Sequence, residues 1–304
     1  MNTAPAARAM IAGWFSFPGC NATAGDILAA QVLAGWISEA GLACDIARAE
    51  PFEPLLDWKA VDPQQYTHLF FVCGPFRDRP MSRELLERFD HCQKVGVNLS
   101  MIERLADFNP FDLLYERDSE RTTRPDLVFA SDPARVPVAA LLLVHKQKEY
   151  GDRGLHKQTH QLIRQTLAGR NIACVPVDTV LENNATGLHT NEQINAVIAR
   201  ADLVITTRMH GLVMALHNGV PAVAIDAIQG GAKVLAQARS VQWPIVTTAE
   251  NLTADWINQS IDRCLKAEIR QQVALSQIRA REALESLRQE MIDAITHPSV
   301  GVSQ

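Results

Sequence analysis

Short apolar runs recur along the chain, each followed by a polar or glycine-bearing turn and then a stretch of helical periodicity. Met10–Phe15, Leu42–Ala47, the run inside Tyr66–Pro75, Val95–Leu99, Phe111–Asp118 and Leu127–Asp132 read as strands of a first half. Val138–Val144, Ile172–Val177, Leu203–Ile205, Ala222–Ile225 and Val241–Val246 read as strands of a second. The stretches between them carry helix spacing: Ile27 to Gly41, Glu84–Gln93, Leu155–Leu167, Asn191–Arg200 and Gly211–Asn218, with a helical end from about Thr253 to Ile295. Most strands are apolar without alternation, as expected where helices cover both faces of a parallel sheet. The pattern restarts after Pro133–Pro137, so we expect two α/β domains with parallel sheets, residues 1–135 and 136–304.

One stretch brings unusual chemistry into this pattern. Between the runs at Leu203–Ile205 and Ala222–Ile225 lies Thr206-Thr207-Arg208-Met209-His210-Gly211, the turn from a strand into a short helix. Gly219 is placed as the left-handed stop of that helix, with Pro221 beyond it. Free N–H groups at a helix N-terminus favour an anion, and an arginine can hold a carboxylate or phosphate through two parallel hydrogen bonds. A histidine two residues on can move a proton near neutral pH. The spacing alone leaves open that Arg208 only pairs with a neighbouring carboxylate and that His210 is structural. The crevice beyond parallel strand ends, where such proteins bind ligands, favours function.

Weaker signals lie elsewhere. Ser16 to Asp26 is a loop rich in Pro18, Gly19, Asn21 and Gly25, with Asp26 suited to begin a helix, and it matches no phosphate-binding fingerprint. Gly230-Gly231-Ala232-Lys233 is a glycine turn with a lysine in the first turn of the next helix, where an anion between cation and dipole would make sense. His156 and His160 have metal-like spacing but no accompanying glutamate, and we read them as part of a solvated helix face.

Composition limits the alternatives. The 304 residues are 47% hydrophobic and 21% charged, as in a globular protein. A net charge of −5 argues against a general nucleic-acid binder. No apolar run approaches the ~20 residues of a membrane span, and the N-terminus has no signal-peptide core. The expected place is the cytoplasm, or the inner membrane face as a peripheral protein. The six cysteines, without Cys-x-x-Cys spacing, are expected as free thiols, mostly buried, and no metal site is expected.

Taken together, these residues resemble the polysaccharide pyruvyl transferase family. Ala201 to Leu212, with Gly219-Val-Pro-Ala-Val-Ala-Ile-Asp226, is similar to its Arg-Leu/Met-His segment. Asn21 to Asp26 resembles its Asn-x-Gly-Asp turn with extra spacing, and Tyr66–Pro75 its strand ending in a glycine run, of which Gly74 remains. Tyr115–Ser119 resembles its Arg-Asp/Glu-x-Ser segment, Asp126–Asp132 the strand closing its first domain, and Gly230–Lys233 its lysine-bearing turn. One departure stands out: His145-Lys146 occupies the place of an arginine after the first strand of the second domain.

The resemblance implies two Rossmann-like domains facing each other across a cleft, as in GT-B glycosyltransferases. It implies transfer of the enolpyruvyl group of phosphoenolpyruvate onto a sugar of a polysaccharide or its lipid-linked precursor, forming a pyruvate ketal. Phosphoenolpyruvate is then a co-substrate and no cofactor is needed. Arg208, His210, Gly211, Lys233 and Lys146 would bind the donor, and Asn21, Gly25 and Asp26 the acceptor. Arg208, His210 and Asp26 would carry the catalysis, with Asp26 as base for the sugar hydroxyl. A GT-B-like glycosyltransferase or sugar-nucleotide enzyme, and a catalytically silent homologue in a glycan-assembly complex, stay open as other readings.

Overall fold

The computed structural model describes residues 7–144 and 148–297, without the side chain of Lys148. The chain divides into two compact units, Met1–Ala134 and Arg135–Gln304.

The first unit runs β1 (Arg8–Ala12), α1 (Ala24–Glu39), β2 (Ala43–Ile46), β3 (His68–Val72), β4 (Pro75–Phe76), α2 (Pro80–Arg88), β5 (Gln93–Val97), β6 (Ser100–Met101) and β7 (Leu113–Tyr115). Its five-stranded sheet has the order β2-β1-β3-β5-β7, all neighbours parallel, and β4 and β6 pair as a short parallel extension. One face packs α1 through Ala29, Ala30, Leu33 and Ile37. The other carries an aromatic core in which Phe71, Phe76 and Phe111 are buried with Trp14 and Phe17. Each such side chain, fully buried, contributes roughly 1.5–3 kcal/mol. Arg8 holds Asp45 through two hydrogen bonds of 2.6 and 2.8 Å, fastening β1 to β2, and the Tyr66 hydroxyl donates to the same carboxylate.

The second unit runs β8 (Val138–Leu142), α3 (His156–Ala168), β9 (Ala173–Pro176), α4 (Asn191–Ile198), β10 (Leu203–Thr206), α5 (Met209–His217), β11 (Ala222–Asp226), α6 (Lys233–Ser240), β12 (Val246–Thr248), α7 (Ala254–Cys264) and α8 (Ile269–Thr296). Its sheet order, β12-β11-β10-β8-β9, is again all parallel. When only the strands of each five-stranded sheet are numbered, both follow the order 2-1-3-4-5, a doubly wound, Rossmann-like arrangement. β10 and β11 are buried along their whole length, as the unbroken apolar runs require. No helix among the described residues is long and apolar enough to cross a membrane.

Several elements differ from the sequence reading. Leu127–Ala130 is a 3-10 turn rather than part of a strand, because the Asp126 carboxylate accepts the Val128 N–H at 2.9 Å and bends the chain onto α1. The strand expected at Val241–Val246 starts only at Val246, since α6 runs to Ser240 and Gln242 follows with φ 52°. α1 begins at Ala24, three residues early: Thr23 and Asp26 close a capping box that brings Gly25 and Asp26 into the first turn. All six cysteines are free thiols, with Cys73, Cys92 and Cys264 buried and Cys174 exposed.

Candidate functional site

In the second unit, β8 has β9 on one side and β10 on the other, so the chain reverses its winding direction between β8 and β10. Open α/β sheets take ligands at the carboxyl ends of the strands at this switch point. Thr207 and Arg208 leave β10 there, beside Val144 at the end of β8. The Thr206 hydroxyl oxygen accepts the Arg208 N–H at 2.9 Å and lies 3.0 Å from the carbonyl oxygens of Leu142 and Arg208. The Thr207 hydroxyl accepts the Val144 N–H at 2.9 Å. The two threonines thus fix the turn that presents Arg208.

Arg208 is the N-cap of α5, which begins at Met209, two residues earlier than expected. His210 therefore stands in the first helical turn and is exposed, while Gly211 is buried. The N–H groups of Met209, His210 and Gly211 have no intrahelical acceptor by helix geometry. Gly211 is required by packing: a Cβ there would lie 2.2 Å from Thr206 Oγ1 and 3.2 Å from Leu142 Cβ. Only glycine lets the helix N-terminus sit so close to the strand ends. Gly219 ends the helix with φ 76°, as the sequence suggested.

Arg208 has a partner that sequence reading did not find. Its Nη2 lies 3.5 Å from Asp178 Oδ1, with both side chains about one-fifth exposed. Asp178 follows β9, and its Oδ1 also accepts the Val180 N–H at 3.0 Å. An acidic residue just past a strand was the available signal, but it gains meaning only from the pairing of β9 with β8. Asp178 aims the guanidinium, whose remaining N–H donors can meet an anion.

His156 and His160 do not form a solvated face. His156 is 5% exposed, and burial lowers its pKa, with Asp226 and Glu149 acting in the opposite direction. His160 Nε2 lies 3.4 Å from Thr207 Oγ1 and its ring stands edge-on to that of His156. The inward turn follows from α3 packing on the sheet, which brings the helix's buried face over the ends of β8 and β10.

Lys233 is the first residue of α6, and its ammonium lies 3.1 Å from Glu149 Oε1 and 5.5 Å from the Tyr150 ring centre. Glu149 raises its pKa. The start of α6 is held by a protein carboxylate, since Asp226 Oδ2 accepts the N–H groups of Ala232 and Leu235 at 2.7 and 2.9 Å. Gly230 and Gly231 both take left-handed conformations in the turn before it. Lys146, the other expected donor contact, lies outside the described residues.

In the first unit, Asn21 is exposed with φ 51°. Asp26 Oδ2 accepts the Thr23 N–H at 2.7 Å and its hydroxyl at 2.9 Å, so this carboxylate closes its own helix cap. Gly25 stands next to Val128 of the 3-10 turn. The crevice at this sheet's switch point is filled: Trp14, Phe15 and Ser16 fold back after β1, and the Trp14 indole N–H donates to the Pro75 carbonyl at 3.1 Å. Gly74, with φ 81°, is pressed by that ring, a Cβ there meeting Trp14 Cδ1 at 2.5 Å. The charges around Arg117 hold structure, pairing with Asp118 at 3.1 Å and Asp126 at 2.8 Å. A cavity of about 700 Å³ runs along the α1 face of this sheet between Trp36, Phe70 and Tyr115, and it contains none of the expected site residues. No cluster of three or more potential metal ligands occurs among the described residues.

With that geometry in place, similarity to known proteins falls on the same turn. Residues 189–227 match the family model described as polysaccharide pyruvyl transferase. The matched segment spans α4, β10, α5 and β11, and so contains Arg208, His210 and Gly211 with the strands that position them. No curated protein matches the chain. Among solved structures, a glycotransferase of kitacinnamycin shares 10% identity over 95% of this chain and 98% of its own, with a TM-score of 0.35. The spinosyn forosaminyltransferase SpnP shares 12% over 95% and 99%, with a TM-score of 0.33. T4 phage BGT, solved with UDP and Mn2+, shares 11% over 93% and 99%, with a TM-score of 0.26. These are loose likenesses.

Proposed function

We propose that the protein transfers the pyruvyl group of phosphoenolpyruvate onto a sugar hydroxyl pair, forming a pyruvate ketal and releasing phosphate. The observation that carries this reading is the coincidence of the pyruvyl transferase segment with Arg208 and His210 at a strand-to-helix switch point. Phosphoenolpyruvate brings a carboxylate and a phosphate, which suit a guanidinium and a helix N-terminus. Arg208, aimed by Asp178, clamps the donor alongside the Met209–Gly211 N–H groups. His210 donates a proton to the methylene carbon, making it a methyl group and leaving the adjacent carbon electrophilic. Two sugar oxygens bond to that carbon as its bond to the phosphate oxygen breaks. Of the two hydroxyl protons, one restores His210 and the other leaves with hydrogen phosphate, so the reaction balances.

Lys233 and Lys146 are the second line of donor contacts, and Asn21, Gly25 and Asp26 hold the acceptor. Asp26 takes the second of the two hydroxyl protons from the sugar and passes it to the departing phosphate; among the described residues its side-chain hydrogen bonds run through Oδ2. The acceptor is a sugar of a polysaccharide or of its lipid-linked precursor, and the reaction takes place in the cytoplasm or at the inner membrane face.

The test combines binding and turnover. Phosphoenolpyruvate is expected to raise the melting temperature, and UDP-sugars to leave it unchanged. Arg208→Lys and His210→Gln are expected to abolish phosphate release with a sugar acceptor while both variants melt as the wild type does. Arg208→Lys loses the two-pronged clamp even though charge is kept. Stabilisation by a UDP-sugar alone, or full turnover in either variant, overturns the reading.

A further inference from the structure

Trp14 fills the crevice between β1 and β3, yet the carboxyl end of the first sheet is not closed. One strand over, between the loops that follow β1 and β2 and the first turns of α2, lies a cavity of about 540 Å³. Small-molecule sites run from roughly 300 to 1,000 Å³, and in open α/β sheets they form at the carboxyl ends of the strands.

The walls are braced from within the unit. Phe17 and Trp58, almost wholly buried, line the cavity edge to face with ring centres 5.8 Å apart. The Trp58 indole N–H donates to the Ser16 carbonyl at 3.2 Å, and the Ser16 hydroxyl donates to the Ala47 carbonyl at 2.7 Å. Arg88 of α2 donates to the carbonyls of Trp58 and Val61 at 3.2 and 2.6 Å. A ligand therefore finds the cavity already formed, and little binding energy goes into ordering it.

The polar groups define the ligand. Two cations, Arg48 and Lys59, share the lining with three carboxylates, Glu50, Asp57 and Glu84. Arg48 Nη1 donates to the Glu53 carbonyl at 2.8 Å, while its Nε is buried without a hydrogen-bond partner among the described residues. Lys59 Nζ meets Glu84 Oε1 at 2.6 Å, and Asp57 Oδ1 accepts the Lys59 backbone N–H at 2.8 Å. Among the described residues this leaves Asp57 Oδ2, Glu84 Oε2 and the Glu50 carboxylate as acceptors for a ligand. An anion would meet three carboxylates, and a cation would meet Arg48 and Lys59. A neutral polyol suits both signs, because each hydroxyl donates one hydrogen bond and accepts others. Its C–H faces suit the apolar part of the lining, Phe17, Pro18, Leu55 and Met81.

The same loop leads to the residues expected at the acceptor. From Pro18 it passes Cys20, whose thiol lies 3.5 Å from the Met81 sulfur, and continues to Asn21 and the helix cap at Asp26. We propose that this cavity is a carbohydrate subsite, holding a neutral sugar residue of the acceptor glycan. The word acceptor rests on the transferase reading; the binding of a neutral sugar rests on the cavity.

The test is an array of oligosaccharides, neutral and uronic-acid-bearing, probed with the full chain in the absence of phosphoenolpyruvate. Binding to neutral members is expected, and the best of these is then titrated by calorimetry. Glu50→Ala and Asp57→Ala, both at exposed positions, are each expected to weaken it about tenfold, the usual result of removing a charged hydrogen-bond acceptor, with the melting temperature unchanged. Should Asp57→Ala melt early, Asp57→Asn keeps the acceptor for the Lys59 N–H and is expected to show the same direction of loss. No binding by the wild type, preference for the acidic oligosaccharides, or unchanged affinity in the variants overturns the proposal. Glycan binding that the variants weaken, without any phosphate release from phosphoenolpyruvate, would remove the pyruvyl transfer reading and leave the subsite standing. Phosphate release whose KM for the glycan is the same in the variants would remove the subsite alone.

Discussion

A methyl group on Gly211 would stand 2.2 Å from the Thr206 hydroxyl oxygen, the atom that accepts the Arg208 N–H. The helix start, the strand end and the cation of the candidate site are thus locked by one close approach. Glycine here serves packing first, and through packing it aims Arg208.

Gly211→Ala is therefore expected to destabilise the protein by about 1–3 kcal/mol, the usual range for overpacking a filled site. It is also expected to lower phosphate release from phosphoenolpyruvate more than this loss of folded protein explains. Chemical denaturation and turnover on the same sample check both. Full activity in a stable variant would remove Gly211 from the account.

Asp178 is expected to act through Arg208. Asp178→Asn should raise the KM for phosphoenolpyruvate several-fold with a smaller effect on kcat, because the guanidinium stays charged but is less well aimed. Steady-state kinetics separate the two constants. A fall in kcat alone would instead place Asp178 with the reacting atoms.

Lys233 already has Glu149 as a partner at an exposed position, where such pairs add little to stability. Lys233→Met is expected to leave the melting temperature unchanged. A raised KM for phosphoenolpyruvate in that variant then reports donor contact, whereas an unchanged KM would leave Lys233 as a surface residue.

His156 gives stability a pH dependence whose sign follows from its burial. Its folded pKa lies below the ordinary 6.5. Well above 6.5 the residue is neutral in both states and contributes no slope. As pH falls through 6.5, the unfolded chain takes up a proton that the folded one resists, and stability is lost. The melting temperature is expected to drop between about pH 7.5 and about pH 5.5, and His156→Gln to flatten that drop. Parallel curves for the two proteins would show that other groups set the slope.

Glu116 offers a contrast in the first unit. It is fully buried, and its hydrogen bond from Arg121, with help from Arg124 and Ser119, takes its pKa down to about 2 against the opposing effect of burial. The stability it contributes is complete above the ordinary carboxylate value of 4.5 and is lost as pH falls toward 2. Glu116→Ala should cost about 1–3 kcal/mol, since the partly exposed arginines regain water once the carboxylate is gone. Equal stability in urea would contradict this.

Much of this architecture could be read from the chain alone. Apolar runs without alternation can only be satisfied by strands covered on both faces, so Leu203–Ile205 and Ala222–Ile225 announced a parallel sheet. Arg208 and His210 were legible because a strand, a turn and a helix start are local, and Gly219 marked the stop by its conformational freedom. The 3-10 turn at Leu127–Ala130 was missed because Asp126 bonds its own backbone and overrides a β-favouring composition. The start of α1 was misplaced because the capping box of Thr23 and Asp26 outweighed the glycine at position 25.

What only the tertiary structure decided concerns partners distant in sequence. Asp178 and Arg208 meet because β9 and β10 flank β8, an order of strands that no local pattern contains. His156 and His160 turned inward because α3 packs over those same strand ends, and helical spacing alone does not say which face a sheet will cover. The sequence determined which segments become strands and helices, through burial and backbone preference acting over a few residues. The sheet order decided which side chains share a site, because that choice belongs to the packing of the whole unit.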